Sequence, residues 1–305
     1  MSETFITILI AMLGGAARVS TPYLFVALGE CLTEKSGRVN LGLEGTLVFG
    51  AMAAYAVSWH TGSPWLGVCA AAGAGAALGG AHGALCALPR VNDVAVGIAM
   101  MGLGTGLAFF LGRPYVQPSA PHLPALPLGG FLDDARLRGA LEVDPLFFAG
   151  IVLALILAWA LRSTRAGLIL RVTGESAAAA RAIGVRVNAV RLLATCAGGA
   201  LAGIGGAFLS LSYPGSWTQG LSSGQGLMAV ALVIFARWSP LRCIFTALLF
   251  GAAGALGPTL QAAGVTQFYY AFNAAPYILT LVIMAVSSRA KGAAPGMPGE
   301  LNLAR

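Results

Sequence analysis

The sequence predicts an all-α fold, a polytopic transmembrane bundle of about nine helices bounded by about eight and ten. Three observations carry this. The 305 residues are 57% hydrophobic and only 10% charged, with a mean hydropathy of +0.81, which is too apolar for a domain that folds in water. Apolar stretches of roughly twenty residues, the length that crosses a bilayer as a helix, recur along the whole chain. The basic residues fall between those stretches and gather on one side of the resulting topology.

In order, the spans are expected near residues 4–28, 41–59, 65–88, 93–112, 145–162, 190–212, 219–236, 242–260 and 268–288, all within one domain, 1–305. In the first, Glu3 precedes the earliest cation, Arg18, so no cleaved signal peptide is expected. Residues 18–22 interrupt its apolar run, and a re-entrant or interfacial segment there would make the count ten and bring the N-terminus inside. With nine spans the N-terminus lies outside and the C-terminus inside. Lys35, Arg38, Arg90, six arginines in 162–191, Arg237, Arg242, Arg289, Lys291 and Arg305 then face the cytoplasm, against Arg113, Arg136 and Arg138 outside. Fourteen against three is hard to obtain from a wrong register. The formal charge of +7 therefore reflects topology, and no aromatic-interleaved basic patch points to nucleic acid.

The cytoplasmic loop 162–191 holds six arginines and one acid, Glu175. Gly174 is expected to break the preceding run, Glu175 to place negative charge at a helix N-terminus, residues 177–180 to form the helix, and Gly184 to supply its left-handed stop. Such a short helix of small side chains is a knob for a partner's groove; a plain connecting loop is the alternative. The outer loop 113–144, with Pro114, Pro118, Pro121, Pro124 and Pro127, reads as irregular and solvent-facing, and 289–305 as a short cytoplasmic tail.

Gly75, Gly79 and Gly83 recur every four residues, as do Gly102 with Gly106 and Gly199 with Gly203, which lets helix backbones approach closely in a membrane. Cys31, Cys69, Cys86, Cys196 and Cys243 form no CxxC pair and read as small core residues, not metal ligands.

Two polar constellations stand out. In SGRVNLGLEG, residues 36–45, Asn40 and Glu44 enter an apolar span beside Gly42 and Gly45. An ionisable group at membrane depth is costly and points to function; alternatively Glu44 lies near the surface and pairs with Lys35 or Arg38. In GLSSGQGLMAVAL, residues 220–232, a glycine-broken entry into the seventh span carries Gln225 between Gly224 and Gly226. Paired helix breaks in two halves mark translocation sites, and these two, at opposite ends of their spans, suit an inverted repeat. Asn92 is a ready N-cap for the fourth span, with Asp93 at the positive end of its dipole, and Asn273 beside Pro276 lines a cavity or bonds a neighbouring helix.

Catalysis is not supported. Residues 220–224 match GxSxG, but that motif needs a strand before it and a base nearby, and His60, His82 and His122 are scattered. No HExxH occurs, and neither lysine, Lys35 or Lys291, sits in a P-loop, so any ATP would be hydrolysed by another chain.

TPYLFVALGECLTEKSGRVNLGLEGTLVFGA (21–51), RVTGESAAAARAIGVRV (171–187) and SSGQGLMAVALVIFARWSPL (222–241) together closely resemble the permease subunits of bacterial ABC importers for branched-chain amino acids, simple sugars and nucleosides. The resemblance spans most of the chain and is strongest to the nucleoside type. It implies a coupling helix over 174–184 that docks on the ATPase, with Gly174, Glu175, Ala179 and Gly184 at the family's positions. It also implies that Asn40, Gly42, Glu44, Gly45, Gly224, Gln225 and Gly226 lie on or near the translocation path. The implied partners are an ABC ATPase carrying ATP and Mg, a second permease chain, a periplasmic or lipid-anchored substrate-binding protein, and the bilayer of the bacterial cytoplasmic membrane. This chain itself is expected to bind no cofactor. Two positions depart from the family: Ser176 and Ala177 stand where Asn-Pro is usual, and Met101 where the fourth span often has Asn. Ribose-like sugars are the alternative cargo. An ion-coupled secondary transporter acting through Glu44 or Asp93, or a membrane anchor, are the alternative classes.

Overall fold

The computed structural model describes residues 2–116, 119–127, 142–262, 267, 269–287 and 296–303. Arg136, Arg138, Arg289, Lys291 and Arg305, counted above in the charge asymmetry, lie outside the described residues. The fold is all-α apart from one short antiparallel pair, and helices stand at all nine places expected for spans.

The first helix, α1 (Ser2–Lys35), runs unbroken through Pro22, so the interruption expected at residues 18–22 is not observed. The Ser20 and Thr21 hydroxyls each donate to the Ala17 carbonyl at 2.9 Å, and Arg18 Nε reaches the Gly14 carbonyl at 3.4 Å. These side chains bond back to carbonyls of their own helix, so the polar residues next to the proline need no partner elsewhere. Every residue from 20 to 31 is buried, which makes α1 a central helix. At about 51 Å long it exceeds a hydrocarbon core of about 30 Å.

Then follow α2 (Leu43–Thr61), α3 (Pro64–Cys86), α4 (Asp93–Gly112), α5 (Pro145–Ser163), α6 (Arg165–Glu175), α7 (Ala177–Ala182) and α8 (Val187–Leu211). The chain continues through α9 (Gln225–Phe235), α10 (Pro240–Ala262), α11 (Tyr269–Asn273), α12 (Ala275–Ser287) and α13 (Gly299–Leu303). Among the described residues five helices are long and apolar enough to cross a membrane, at Pro64–Cys86, Asp93–Tyr115, Pro145–Ser163, Val187–Leu211 and Pro240–Ala262. Gln225–Phe235 and Ala275–Ala285 are shorter and apolar. The seventh expected span is cut to eleven residues because its first part is a turn, and the ninth is split at Ala274 into α11 and α12.

The second central helix is α8, packed on α1, α2 and α3. Its contacts explain the glycine spacing. A Cβ at Gly79 would meet the Thr195 carbonyl and, at 3.1 Å, Gly199 Cα; one at Gly75 would meet the Gly199 carbonyl and, at 3.0 Å, Gly203 Cα. Gly102 and Gly106 have nothing within 4 Å of such a Cβ, so their expected role in close packing is not met among the described residues. Cys69 is exposed on α3, unlike the buried Cys31, Cys86 and Cys243. The described part of the outer loop is more ordered than its prolines suggested, with a 3-10 turn (Arg113–Tyr115) and β1 (Leu126–Pro127) paired to β2 (Glu142–Val143).

Backbone contact of this kind leaves no room for a methyl group. Gly79→Ala should lower stability by about 1–3 kcal/mol through overpacking, whereas Gly106→Ala should leave it unchanged or slightly raised. Thermal unfolding of the two variants in the same detergent checks the difference.

Candidate functional site

The two polar constellations meet. Glu44, in the first turn of α2, is buried and directs its carboxylate at the start of α9. Its Oε1 accepts from the Ser222 hydroxyl at 2.5 Å and from the Gly224 amide at 3.1 Å, and its Oε2 accepts from the Gly226 amide at 2.6 Å. Gly224 is the N-cap with φ +78°, a conformation that glycine adopts freely. A Cβ at Gly226 would lie 2.6 Å from Glu44 Cα, so only glycine lets the two helices approach this closely. Free amides and the helix dipole both favour an anion at this place. Glu44 pairs with neither Lys35 nor Arg38: Arg38 forms its ion pair with Asp93 at 2.5 Å, and Asn92 caps α4 by accepting from the Val94 and Ala95 amides.

The other expected path residues divide. Asn40 is buried; its backbone amide donates to Glu30 Oε1 at 2.8 Å and its Oδ1 accepts from the Gly42 amide at 2.9 Å, while its Nδ2 has no hydrogen-bond partner among the described residues. Gln225 Oε1 is buried and unpartnered in the same sense. Asn40 lies four residues before Glu44 and Gln225 between the two glycines that hold it, and both orphaned groups are free to bond water or a polar solute. Gly42 and Gly45 face α4: their Cβ atoms would meet Met100 Cβ at 2.9 Å and the Met101 carbonyl at 2.5 Å. They are packing glycines, and Met101 meets Gly45 through its backbone. Asn273 is exposed on α11 against Gly257 of α10 and forms no hydrogen bond to the clasp among the described residues. Ser222 of the GxSxG match donates to Glu44 from a turn, with no strand before it, so the nucleophile-elbow geometry is absent among the described residues.

Residues missed from sequence complete the site. Tyr277 of α12 donates its hydroxyl to the Ser223 carbonyl, and the Tyr23 hydroxyl lies 3.8 Å from the Met228 sulfur. Past the end of α9, the Trp238 indole donates to Glu34 of α1.

On the cytoplasmic side of the expected topology, the coupling segment is built differently from expectation. Gly174 and Glu175 end α6 instead of starting the short helix, because α6 must close on α1: a Cβ at Gly174 would meet the Lys35 carbonyl. The N-cap of α7 is Ser176, whose Oγ accepts from the Ala179 amide at 3.2 Å. Gly184 has φ +84°, the left-handed conformation expected of it. Ala177 and Ala180 pack with Val187, leaving Ala178, Ala179, Ala182 and Ile183 outward, the last 70% exposed.

Ala177 has the amide hydrogen that a proline would lack, and Glu300 of α13 takes it through Oε1 at 2.8 Å. Glu300 Oε2 accepts from Arg191 Nη2 at 2.9 Å, and Arg191 Nε donates to the Ser36 carbonyl at 3.0 Å. The tail, the short helix α7 and the α1–α2 turn are thus joined through one carboxylate. Partial burial would raise the Glu300 pKa, but the Ala177 amide and the Arg191 guanidinium outweigh it and hold it below its ordinary value.

Comparison with known proteins adds the following. The family described as "Branched-chain amino acid transport system / permease component" matches residues 4–287. TsgC13 of Haloferax volcanii, provisionally named a glucose ABC transporter permease, is 36% identical over 80% of this chain and 76% of its own length. The nucleoside ABC transporter permease NupC of Lactococcus lactis is 29% identical over 88% and 89%. The guanosine ABC transporter permease NupQ of Bacillus subtilis is 28% identical over 87% and 88%.

Two outcomes follow from this geometry. Glu44→Ala leaves a hydroxyl and two amides without their acceptor, at on the order of 1–3 kcal/mol each, and should lower the melting temperature far more than Asn273→Ala; differential scanning fluorimetry compares them. Because the Glu300 pKa is lowered in the folded chain, its clasp is complete above the ordinary glutamate pKa and is lost as pH falls through the lowered value. Hydrogen exchange across residues 175–184 should be faster in Glu300→Gln than in wild type at neutral pH. That difference should vanish at acid pH.

Proposed function

We propose a role in nucleoside uptake from one premise: this chain belongs to the family of branched-chain amino acid transport system permease components, and is a permease subunit of an ABC importer in a cell membrane. The observation that carries the reading of the site is the Glu44 clasp, because it fixes a helix break inside a membrane bundle beside the unpartnered Asn40 Nδ2 and Gln225 Oε1. Such breaks expose polar backbone and side-chain groups to a solute. Nucleosides are supported by the NupC and NupQ relatives, both matched over most of their length. Glucose or another simple sugar is the second reading, favoured by the higher identity of TsgC13. That relative is archaeal, so the bacterial inner membrane rests on the nucleoside relatives.

In this reading a separate ATPase binds ATP and Mg and grips the outward face of α7, at Ala179 and Ile183. A second permease chain completes the pathway and an extracytoplasmic binding protein delivers the solute. Closure of the ATPases displaces α7, and Glu300 and Arg191 pass that displacement to the Ser36 turn, which leads through Asn40 to Glu44. The break at Gly224 then alternates between facing outward and inward.

Uptake of radiolabelled uridine, adenosine, glucose and ribose by cells with and without this chain tests the cargo. Loss confined to the nucleosides supports the proposal; loss confined to glucose replaces it with the sugar reading. Ala179→Trp with Ile183→Arg should abolish uptake and ATPase co-purification together, and normal values for both would refute the docking face.

A further inference from the structure

Five cations surround one cavity. It has a volume of about 390 Å³ and is lined by Lys35 at the end of α1, Arg162 at the end of α5, Arg171 of α6, and Arg237 and Arg242 around the start of α10, with Trp238 as one wall. Among the described residues no acidic side chain lines it and none of the five forms an ion pair. Glu34 accepts the Trp238 indole and is itself buried. Five like charges around one space repel one another unless an anion enters.

The surroundings say which anion. Along α5 the exposed residues Val152, Leu155, Ile156 and Trp159, the last 63% exposed, form an apolar face that leads to Arg162. On α10, Phe245, 73% exposed, lies one turn from Arg242, followed by Leu249. The two helices pack together, and the end of one and the start of the other meet at the cavity. Apolar faces suited to acyl chains therefore lead to a basic chamber, with the exposed Trp159 one turn before Arg162 near the end of α5. Neither a free phosphate nor an acidic protein surface would call for the apolar approach.

We propose that this cavity binds the phosphate headgroup of an anionic phospholipid of the cytoplasmic leaflet, with its chains lying along the α5 and α10 faces. The sidedness rests on the charge asymmetry of the sequence; the cargo does not enter. Basic pockets between helices at that leaflet are the usual form of an anionic lipid site, and occupancy here would steady the junction of α1, α5, α6 and α10 beneath the helix pair α6–α7.

The test is to purify the full chain with its co-purifying subunits, offer equal amounts of phosphatidylglycerol and phosphatidylcholine, and count retained lipids by native mass spectrometry. Wild type should keep phosphatidylglycerol in preference by about tenfold or more. Arg162→Gln/Arg171→Gln/Arg242→Gln should lose that preference, whereas Arg181→Gln/Arg186→Gln, which changes cations elsewhere, should keep it. Absence of the preference in wild type, or its persistence in the triple variant, overturns the proposal. So does displacement of the lipid by millimolar inorganic phosphate, which would make this a free-anion site. Loss of the ATPase from the triple variant with lipid still retained would overturn it too, by placing the cations in a subunit interface.

Discussion

A carboxylate that cannot reach bulk water must find donors within the protein, and Glu44 finds them where α9 begins. The Ser222 hydroxyl and two glycine amides converge on it, so the chain turns through residues 219–224 and becomes helical only at Gln225. A continuous helix through this stretch would tie up those amides in its own ladder and leave the carboxylate bare, which is the costlier arrangement at low dielectric. The shortness of α9 is therefore a consequence of Glu44. So is the glycine at 226, since the amide can come within 2.6 Å of the carboxylate only if no Cβ separates the helices.

The same logic acts at the far end of α1. Arg191 is buried among helix ends and would be costly without partners. It is held by the Ser36 carbonyl and by Glu300, and the second oxygen of Glu300 completes the first turn of α7. One tail residue thus serves both a buried cation and an orphan amide. Ala177, unlike a proline, has that amide to give. Docking of the tail and presentation of α7 are in this way a single structural event.

Much of the framework was legible because it follows from periodicity: the nine helical places, the Asn92 cap and the glycines of α3 and α8 all come from spacing and residue type alone. Two kinds of feature were not. Four-residue spacing puts Gly102 and Gly106 on one face but cannot say whether another helix covers it, and among the described residues none does. Pairings distant in sequence were also hidden: Glu44 and Gly226 are 182 residues apart, and each motif stood out without naming the other. The short helix was legible at residues 177–180 and stands there; what the spacing did not show is that Gly174 and Glu175 close α6 and that Ser176 supplies the cap of α7.

These contacts also limit how the bundle can move. Apolar packing gathers around α2, α3 and α8 in one cluster and around α1, α9 and α10 in another. Within the first, glycine-lined backbones interlock and resist sliding, since any shift brings carbonyls into Cα atoms. The short α9 is fastened at both ends by carboxylates from the α1–α2 hairpin, Glu44 before its first turn and Glu34 through Trp238 after its last. A displacement of the Ser36 turn must therefore carry α9 with it or break buried hydrogen bonds. Carrying it is the cheaper course, and it moves the break at Gly224 as a unit with the turn that meets the tail.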